Sequence, residues 1–304
     1  MKTIIMLDGG AGRILSAAPA LVKYGFLNPD KEWYVCVHWW DNLYWAIPEL
    51  QGRVLNPENP NVFEDYLWDA AEVITPEPYK LPEYYRQEVS MSEAFDILIN
   101  GKVDPPLPVV GMELSNQELL RGYDIIQEAK DKQGKDKTII IQPYGSTAFT
   151  SNLGVMDFSC RSIPEKMYMF YVDELKSEYN VIYMGMDELH DDVSYMPQPN
   201  LNLREWASAI ALCDYFIGCD SVGQHIAKSF NKKASVFIAG THEKNVSYPD
   251  EFHIIKRDIE MYANPMRISS RQSDLAQRIN EKRLLFTHEE MVKSLEEIVI
   301  NIES

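Results

Sequence analysis

The clearest indication of the fold is a single stretch of sequence, Asp214-Tyr215-Phe216-Ile217-Gly218-Cys219-Asp220-Ser221-Val222-Gly223-Gln224-His225. An apolar run ends in a polar turn, and an amphipathic segment follows, which predicts a buried strand running straight into a helix. Asp220 or Ser221 can cap that helix, and Gly223 lets a ligand approach the backbone. The positive end of the helix favours an anion, and His225 would add a donor one turn in. The sequence therefore predicts a diphosphate site at this turn.

Strand-like and helical segments alternate along the rest of the chain. Strands are predicted at 3–7, 33–38, 53–55, 73–75, 138–141, 180–184, 214–218 and 234–238. Helices are predicted at 13–24, 61–70, 115–131, 164–179, 203–212 and 221–230. Several strands are uninterrupted apolar runs, as in strands buried on both faces of a parallel sheet. The alternation predicts an α/β fold with parallel sheets.

A polar run at 130–137 precedes a fresh apolar strand and is interpreted as a domain boundary, with a surface loop as the alternative. About eight strands suit two small sheets better than one. The predicted domains are 1–133 and 134–270. Residues 271–304 are predicted to form C-terminal helices that pack back on the first domain.

Composition narrows the class of protein. The 304 residues, 45% of them hydrophobic, can bury one large core or two smaller ones. No apolar run reaches the ~18 residues of a membrane helix, and the N-terminus resembles a strand rather than a signal peptide. The net charge of −17 argues against a tightly bound polyanion, although a local basic groove could coexist with it. Four cysteines without a C-x-x-C pair indicate reduced thiols and a cytoplasmic location.

A second glycine-rich turn, Leu7-Asp8-Gly9-Gly10-Ala11-Gly12-Arg13, follows the first strand. It matches neither G-x-G-x-x-G nor the phosphate loop G-x-x-x-x-G-K. It is either a tight turn that needs glycine or a substrate-facing turn at the carboxyl edge of a parallel sheet. In the second case Asp8 would act as a base or bind a hydroxyl, and Arg13 would meet an anionic group.

Two further segments are rich in functional side chains. The segment from Val37 to Trp45 holds three tryptophans that could stack on a sugar ring or a nucleobase, or could simply belong to the core. Asp187, Glu188, His190 and two further aspartates form an acidic run without a recognised metal-ligand spacing. A solvated face is the alternative there. No metal site is predicted.

The chain resembles the ADP-heptose:lipopolysaccharide heptosyltransferase-like glycosyltransferases in three places. Residues 220–225 look like that family's D-S-G-P-x-H loop, and the strand that follows ends in Ala239-Gly240-Thr241, similar to Gly-x-Thr. The opening, from Ile4 to Ala20, places Gly12 and Pro19 at family-like positions. Arg161-Ser162-Ile163-Pro164 is similar to K-x-W-P. The resemblance implies the GT-B architecture, in which two Rossmann-like domains face each other across a cleft.

The resemblance also implies an activity. It implies inverting, metal-independent transfer of a sugar from a nucleotide-diphosphate sugar to an acceptor hydroxyl, with no cofactor. The first domain would take the acceptor and the second the donor. The implied donor-phosphate residues are Arg161, Ser221, Val222, Gly223, Gln224 and His225. Gly185, Asp187 and Glu188 would meet the nucleoside. The acceptor side would include Gly9, Gly10, Gly12, His38, Trp40 and Asp41.

The chain departs from the family pattern at the acceptor side. The family's first turn ends Gly-Asp, and that aspartate is the catalytic base, whereas Arg13 stands at the matching position here. Asp8 is the nearest replacement, although the resemblance does not identify it as a base. Val222-Gly223 also replaces the family's Gly-Pro.

Several functional alternatives follow from these departures. The acceptor would be a lipopolysaccharide-type sugar or, in a divergent phage member working in host cytoplasm, hydroxymethylcytosine in DNA. The net charge counts against DNA. A chain that lost its base would be a non-catalytic nucleotide-sugar-binding protein. The missing G-x-G-x-x-G disfavours a nucleotide-binding oxidoreductase.

Overall fold

The computed structural model describes residues 2–56, 58–102, 104–152, 154–157, 161–197, 202–257 and 286–304. Within these ranges the chain forms two compact units, which divide between Glu113 and Leu114. Each unit is built around its own parallel sheet, which confirms the predicted α/β class. In the described ranges, no helix combines the length and the apolar character needed to cross a membrane.

The first unit has a four-stranded parallel sheet in the order β3-β2-β1-β4. Its strands are β1 (Lys2–Leu7), β2 (Glu32–Val37), β3 (Val54–Leu55) and β4 (Glu72–Ile74). Its helices are α1 (Ala11–Leu27), α2 (Asp41–Tyr44), α3 (Pro82–Tyr85) and α4 (Met91–Asn100), with single 3₁₀ turns at Pro48–Leu50 and Pro78–Lys80. The strand order reverses between β1 and β4.

The second unit has a six-stranded parallel sheet in the order β12-β11-β10-β5-β8-β9. Its strands are β5 (Thr138–Gln142), β8 (Asn180–Gly185), β9 (Ser194–Pro197), β10 (Tyr215–Cys219), β11 (Ala234–Phe237) and β12 (His253–Ile255). A separate hairpin pairs β6 (Phe149–Ser151) with β7 (Gly154–Met156). Its helices are α5 (Asn116–Gln133), α6 (Glu165–Leu175), α7 (Leu203–Leu212), α8 (Val222–Ser229), α9 (Glu243–Val246) and α10 (His288–Glu303).

All eight strands expected from the sequence are present, because each carries a compact run of apolar residues. The prediction of a helix at 61–70 is wrong: only a π-helical turn forms, Phe63–Leu67, and none of its side chains is buried. Helix α4 was not predicted, although Ser90 and Glu93 form a capping box at its start. The strands β6, β7, β9 and β12, of three or four residues each, were not predicted.

The division of the chain lies about twenty residues before the boundary expected at 133. Helix α5 belongs to the second unit, because it packs closely against α7. At Gly122 a Cβ atom would lie 2.7 Å from the backbone oxygen of Ser208, so only glycine permits this approach. Arg204 at the start of α7 also pairs with Glu118 of α5 at 2.6 Å.

The last helix differs from its expected place. We expected the C-terminal helices to pack on the first domain, but Met291, Ile298 and Ile302 of α10 lie in the core of the second unit. The hydroxyls of Tyr171 and Ser294 lie 2.6 Å apart and join α10 to α6. The other helix expected near residue 273 lies outside the described residues. The described cysteines, Cys36, Cys213 and Cys219, are buried and not in disulfides.

Candidate functional site

The turn between β10 and α8 lies where the strand order of the second sheet reverses. β10 and β5 are neighbours, and Gly218 is paired with Gln142 at their carboxyl ends. From β5 the chain moves outward to β8 and β9, and then returns to the other side of β5 at β10. In open α/β sheets, ligands bind in the crevice outside such a reversal. The predicted anion site therefore lies at the position that the topology favours.

Ser221 takes the N-cap position of α8, but its side chain makes no capping hydrogen bond. This differs from the expectation that Asp220 or Ser221 caps the helix. The Ser221 hydroxyl instead accepts a hydrogen bond from Nε2 of Gln142 at 3.2 Å. The Ser221 side chain therefore does not accept a hydrogen bond from the amide groups of the first turn of α8. An anion there would meet these N–H donors and the helix dipole.

Gly223 is required by the packing beneath α8. A Cβ atom at this position would lie 2.0 Å from Oε1 of Gln142 and 2.5 Å from the ring of Phe216. Gln142 is fully buried, and its Nε2 also donates to the carbonyl of Tyr144 at 3.0 Å. The glycine thus brings the helix backbone down onto the end of β5.

Asp220 connects the site turn to the neighbouring strand end. Its carboxylate accepts a hydrogen bond from the hydroxyl of Thr241 at 2.8 Å and from Nε2 of Gln224 at 3.3 Å. Thr241 follows β11, and Gln224 lies in the first turn of α8. The carboxylate therefore holds together the loops that leave β10 and β11.

His225 is buried on α8 and contacts Tyr248. Its Nδ1 atom lies 2.8 Å from the Tyr248 hydroxyl. Burial lowers the pKa of His225 to about 4, so the imidazole is neutral at pH 7. If the phenol donates to Nδ1, the proton of the neutral ring is on Nε2, and that nitrogen becomes a donor.

The loop that carries Arg161 is tied to the carboxyl end of β5. The Ser162 hydroxyl accepts from the amide of Gly145 at 3.1 Å and donates to Asp157 at 2.5 Å. The Asp157 carboxylate also accepts from Thr147 at 2.8 Å. Arg161 is near enough to Cys219 for its charge to oppose the rise in the thiol pKa that burial causes. Arg161 and Ser221 to His225 therefore gather at one edge of the second sheet.

The turn after β8 was expected to meet a nucleoside. Gly185 is buried, and a Cβ atom there would lie 2.1 Å from the ring of Tyr183. Tyr183 stacks on Tyr168 with ring centroids 5.6 Å apart, and on Tyr195 at 6.3 Å. Asp187 and Glu188 are exposed just beyond Gly185. The turn thus presents two carboxylates beside a stacked tyrosine layer.

In the first unit, Asp8 and Arg13 lie where the strand order reverses between β1 and β4. Arg13 is buried, and its guanidinium pairs with the Glu77 carboxylate at 2.8 Å. The Asp8 carboxylate lies 3.8 Å from the same guanidinium. It also donates to the carbonyl of Pro76 at 3.2 Å. Arg13 was expected to meet an anionic ligand group, but the structure places it against carboxylates of its own unit. The cause is the loop after β4, which brings Glu77 over the start of α1.

The glycines of the first turn have different roles. Gly9 has a φ of 108°, a conformation that other residues rarely adopt. Gly10 is the N-cap of α1, with open space where a Cβ would lie. Gly12 accepts a hydrogen bond from the Ser16 hydroxyl at 2.9 Å within α1. Backbone geometry therefore requires glycine at Gly9.

His38, Trp40 and Asp41 follow the end of β2. The His38 amide donates to the carbonyl of Leu7 at 3.1 Å, and its ring meets that of Trp39 edge to face. Trp40 has a φ of 69°, and Asp41 begins α2. Because β1 and β2 are adjacent, these residues and Asp8 leave the same edge of the first sheet.

Sequence reasoning missed Gln142, Asp157, Thr241 and Tyr248 as parts of this site. Gln142 was identifiable as the polar residue that ends the apolar run Ile139–Ile141. Thr241 belongs to the Gly-x-Thr-like strand end quoted above, but that pattern does not show its bond to Asp220. Asp157 and Tyr248 lie in loops with no local pattern, and only the fold brings them to the strand ends.

No protein family model matches the sequence, and it matches no curated protein. Several solved structures share the fold, and three glycosyltransferases among them are described here. The iron-containing dodecameric glycosyltransferase TibC from enterotoxigenic E. coli has a TM-score of 0.64 at 12% identity, over 97% of this chain and 78% of that one. The E. coli ADP-heptose lps heptosyltransferase II has a TM-score of 0.59 at 13% identity, over 100% and 99%. A family 9 glycosyl transferase from Veillonella parvula has a TM-score of 0.58 at 10% identity, over 84% of each chain.

TibC has also been solved in complex with ADP-D-beta-D-heptose, with a TM-score of 0.63 at 10% identity over 99% of this chain and 76% of that one. TibC contains iron, but in the described ranges of this chain no three His, Cys, Asp or Glu side chains come together as metal ligands. What the comparisons establish is the fold, which this chain shares along nearly its whole length with heptosyltransferases of the GT-B class.

Proposed function

We propose that this protein is a glycosyltransferase that uses a nucleotide-diphosphate sugar and transfers the sugar to an acceptor hydroxyl. The observation that carries the proposal is the open N-terminus of α8 at the reversal of the second sheet, with Ser221 held off the cap by Gln142. The fold shared with heptosyltransferases supports it.

The donor diphosphate binds at the start of α8 in this proposal. The amide groups of Val222, Gly223 and Gln224 would face its oxygens, and the Ser221 hydroxyl would add a donor because it already accepts from Gln142. His225 would donate from Nε2, and Arg161 would supply the positive charge. As the sugar leaves, these groups stabilise the charge that develops on the departing nucleotide diphosphate.

The nucleoside lies over the turn after β8 in this proposal. Asp187 and Glu188 are exposed there and can accept hydrogen bonds from ribose hydroxyls. A Cβ atom at Gly185 would lie 2.1 Å from the buried ring of Tyr183, so the turn needs glycine there.

Asp8 is the proposed proton acceptor. A new bond forms between the acceptor oxygen and the anomeric carbon, while the bond from that carbon to the diphosphate oxygen breaks. The acceptor proton passes to the Asp8 carboxylate, and the nucleotide diphosphate leaves with the electron pair. Arg13, fixed by Glu77, lies 3.8 Å from Asp8 and orients its carboxylate. Inversion and independence from metal ions are part of the proposal.

The donor site is tested by thermal stabilisation with ADP, UDP, GDP, CDP and their sugar conjugates, starting with ADP-heptose. We expect one nucleotide family to raise the melting temperature of the wild type, and the increase to vanish in His225→Ala. Trp68→Ala, which changes an exposed residue of the other unit, is the matched control and should keep the increase. Absence of any stabilisation would overturn the proposal.

Asp8→Asn separates an enzyme from a binding protein. An enzyme that uses this base should lose turnover of the nucleotide sugar by at least about 100-fold and keep its donor affinity. If the wild type binds donor tightly but never consumes it with any acceptor, the chain is the non-catalytic binding protein considered from the sequence.

A further inference from the structure

An exposed aromatic segment, residues 38–45, lies beside the candidate base. Trp39, Trp40 and Trp45 are 58%, 40% and 59% exposed. Tryptophan side chains are largely buried on average, so three solvent-exposed tryptophans within seven residues are unusual. The expectation of a core cluster holds only for Leu43 and Tyr44, which are buried.

The register of the sheet sets where this segment lies. Leu7 is paired with Val37, and the next amide, of His38, donates to the Leu7 carbonyl at 3.1 Å. Neighbouring strands are about 4.8 Å apart. Asp8 and His38 therefore leave adjacent strands at the same edge, and the aromatic segment begins next to the candidate base.

The backbone of the aromatic segment is held in a strained conformation. Trp40 has a φ of 69°, which is rare for a bulky residue. The buried Tyr44 hydroxyl donates to the carbonyl of Ile14, and this bond anchors the segment to α1. Strain of this kind persists where surrounding contacts enforce it, and it is concentrated at ligand-binding sites.

The charge of the first unit restricts what these rings can bind. Residues 1–113 contain eight lysines and arginines against seventeen aspartates and glutamates, a net charge of −9. Five of the eight cations pair with carboxylates of the same unit, those of Lys2, Arg13, Lys23, Arg86 and Lys102. Lys31 and Arg53 lie over aromatic rings. Nucleic-acid sites combine stacking rings with a positive groove, and the described first unit offers only the rings.

Resting on the sugar-transfer function proposed above, we propose that the aromatic segment binds the acceptor and that this acceptor is an uncharged carbohydrate. The C–H face of a pyranose ring packs on the flat, partly polar surface of tryptophan without needing a cation. An acidic glycan, a phosphorylated sugar or DNA would meet a unit of net charge −9 instead. A sugar stacked on this segment would lie at the sheet edge that Asp8 also leaves.

Saturation-transfer NMR and titration calorimetry with the full chain test this proposal. The probes are neutral hexaoses of the malto, cello and chito series, an oligogalacturonate hexamer, and a duplex that contains hydroxymethylcytosine. We expect at least one neutral hexaose to bind, and neither the galacturonate nor the duplex. Trp39→Ala and Trp45→Ala should each weaken hexaose binding by about threefold to tenfold. Trp68→Ala, at a tryptophan outside the segment that is 77% exposed, should not.

Three results would overturn the proposal: tighter binding of the galacturonate or duplex than of every neutral hexaose, no binding of any hexaose, or an equal loss in Trp68→Ala. Nucleotide stabilisation is measured on the same samples. If nucleotide protection is normal and the acceptor prediction fails, only the acceptor assignment is wrong. If no nucleotide protects the wild type, the proposed function itself fails.

Discussion

Gly223 shows at the scale of one residue how packing and ligand access are combined. Its missing side chain leaves room for the Gln142 amide, which in turn holds the Ser221 hydroxyl off the helix cap. We predict that Gly223→Ala lowers the free energy of unfolding by about 1–3 kcal/mol, because it forces Gln142 or Phe216 to move. Nucleotide protection should also be lost.

The matched control for this variant is Gly10→Ala, because a Cβ atom there meets nothing within 4 Å and its φ is negative. Urea unfolding of both variants measures the difference. If the two substitutions cost the same, the close approach of Gly223 to Gln142 does not exist in solution.

His225 predicts a dependence of stability on pH. Its pKa is about 4 in the folded chain, lowered by burial from its usual value of 6.5. As the pH falls from 6.5 to 4, the unfolded chain takes up a proton that the folded chain does not, so the free energy of unfolding decreases. The loss is up to about 1.4 kcal/mol per pH unit, and it is complete below the folded-state pKa.

Urea unfolding at about pH 7 and about pH 5 measures this effect, with His225→Gln as the reference. The wild type should lose about 2 kcal/mol more than the variant between these two pH values. An equal loss in both proteins would mean that His225 is protonated or exposed in the folded state.

At the scale of elements, a buried ion pair joins α1 to α4. Nζ of Lys23 lies 2.7 Å from the Asp96 carboxylate, with 2% and 16% of the two side chains exposed. We predict that Asp96→Ala costs about 3–5 kcal/mol, because it removes the carboxylate that pairs with a buried ammonium. Adding Lys23→Met should restore most of that loss.

The exposed pair Arg86–Glu88 supplies the comparison, with side chains 56% and 50% exposed. Breaking it by Arg86→Ala should cost less than about 1 kcal/mol in the same unfolding assay. Equal costs for the buried and exposed pairs would contradict the burial of Lys23.

Helix α5 illustrates what local sequence cannot decide about an element. Its capping box, Ser115 with Glu118, and its C-terminal Gly134 mark its ends clearly. The same glycine and the charged residues after it look like a domain linker, which is why the boundary was expected there. Contact between Gly122 and Ser208 decides instead that α5 belongs with α7.

At the scale of the whole molecule, the charge of −17 predicts weak binding of nucleic acid. Because nucleic-acid affinity depends on phosphate neutralisation by Lys and Arg, a duplex should not bind with a Kd below about 100 μM at physiological salt. Fluorescence anisotropy with a labelled duplex that contains hydroxymethylcytosine measures this. Micromolar binding that weakens steeply with salt would restore DNA as an acceptor.

The α/β class, eight of the strands and the glycine-containing turns after β1 and β10 could all be predicted from the sequence alone. Those features are local: apolar runs, turn glycines and caps are read within about ten residues. Other features are visible only in the tertiary structure. Ser221 accepts from Gln142 and makes no cap bond, and Glu77 pairs with Arg13. The side chains of Trp39, Trp40 and Trp45 are solvent-exposed. Each of these depends on strand order and register, which bring residues from distant parts of the chain to one sheet edge, and no local pattern encodes that proximity.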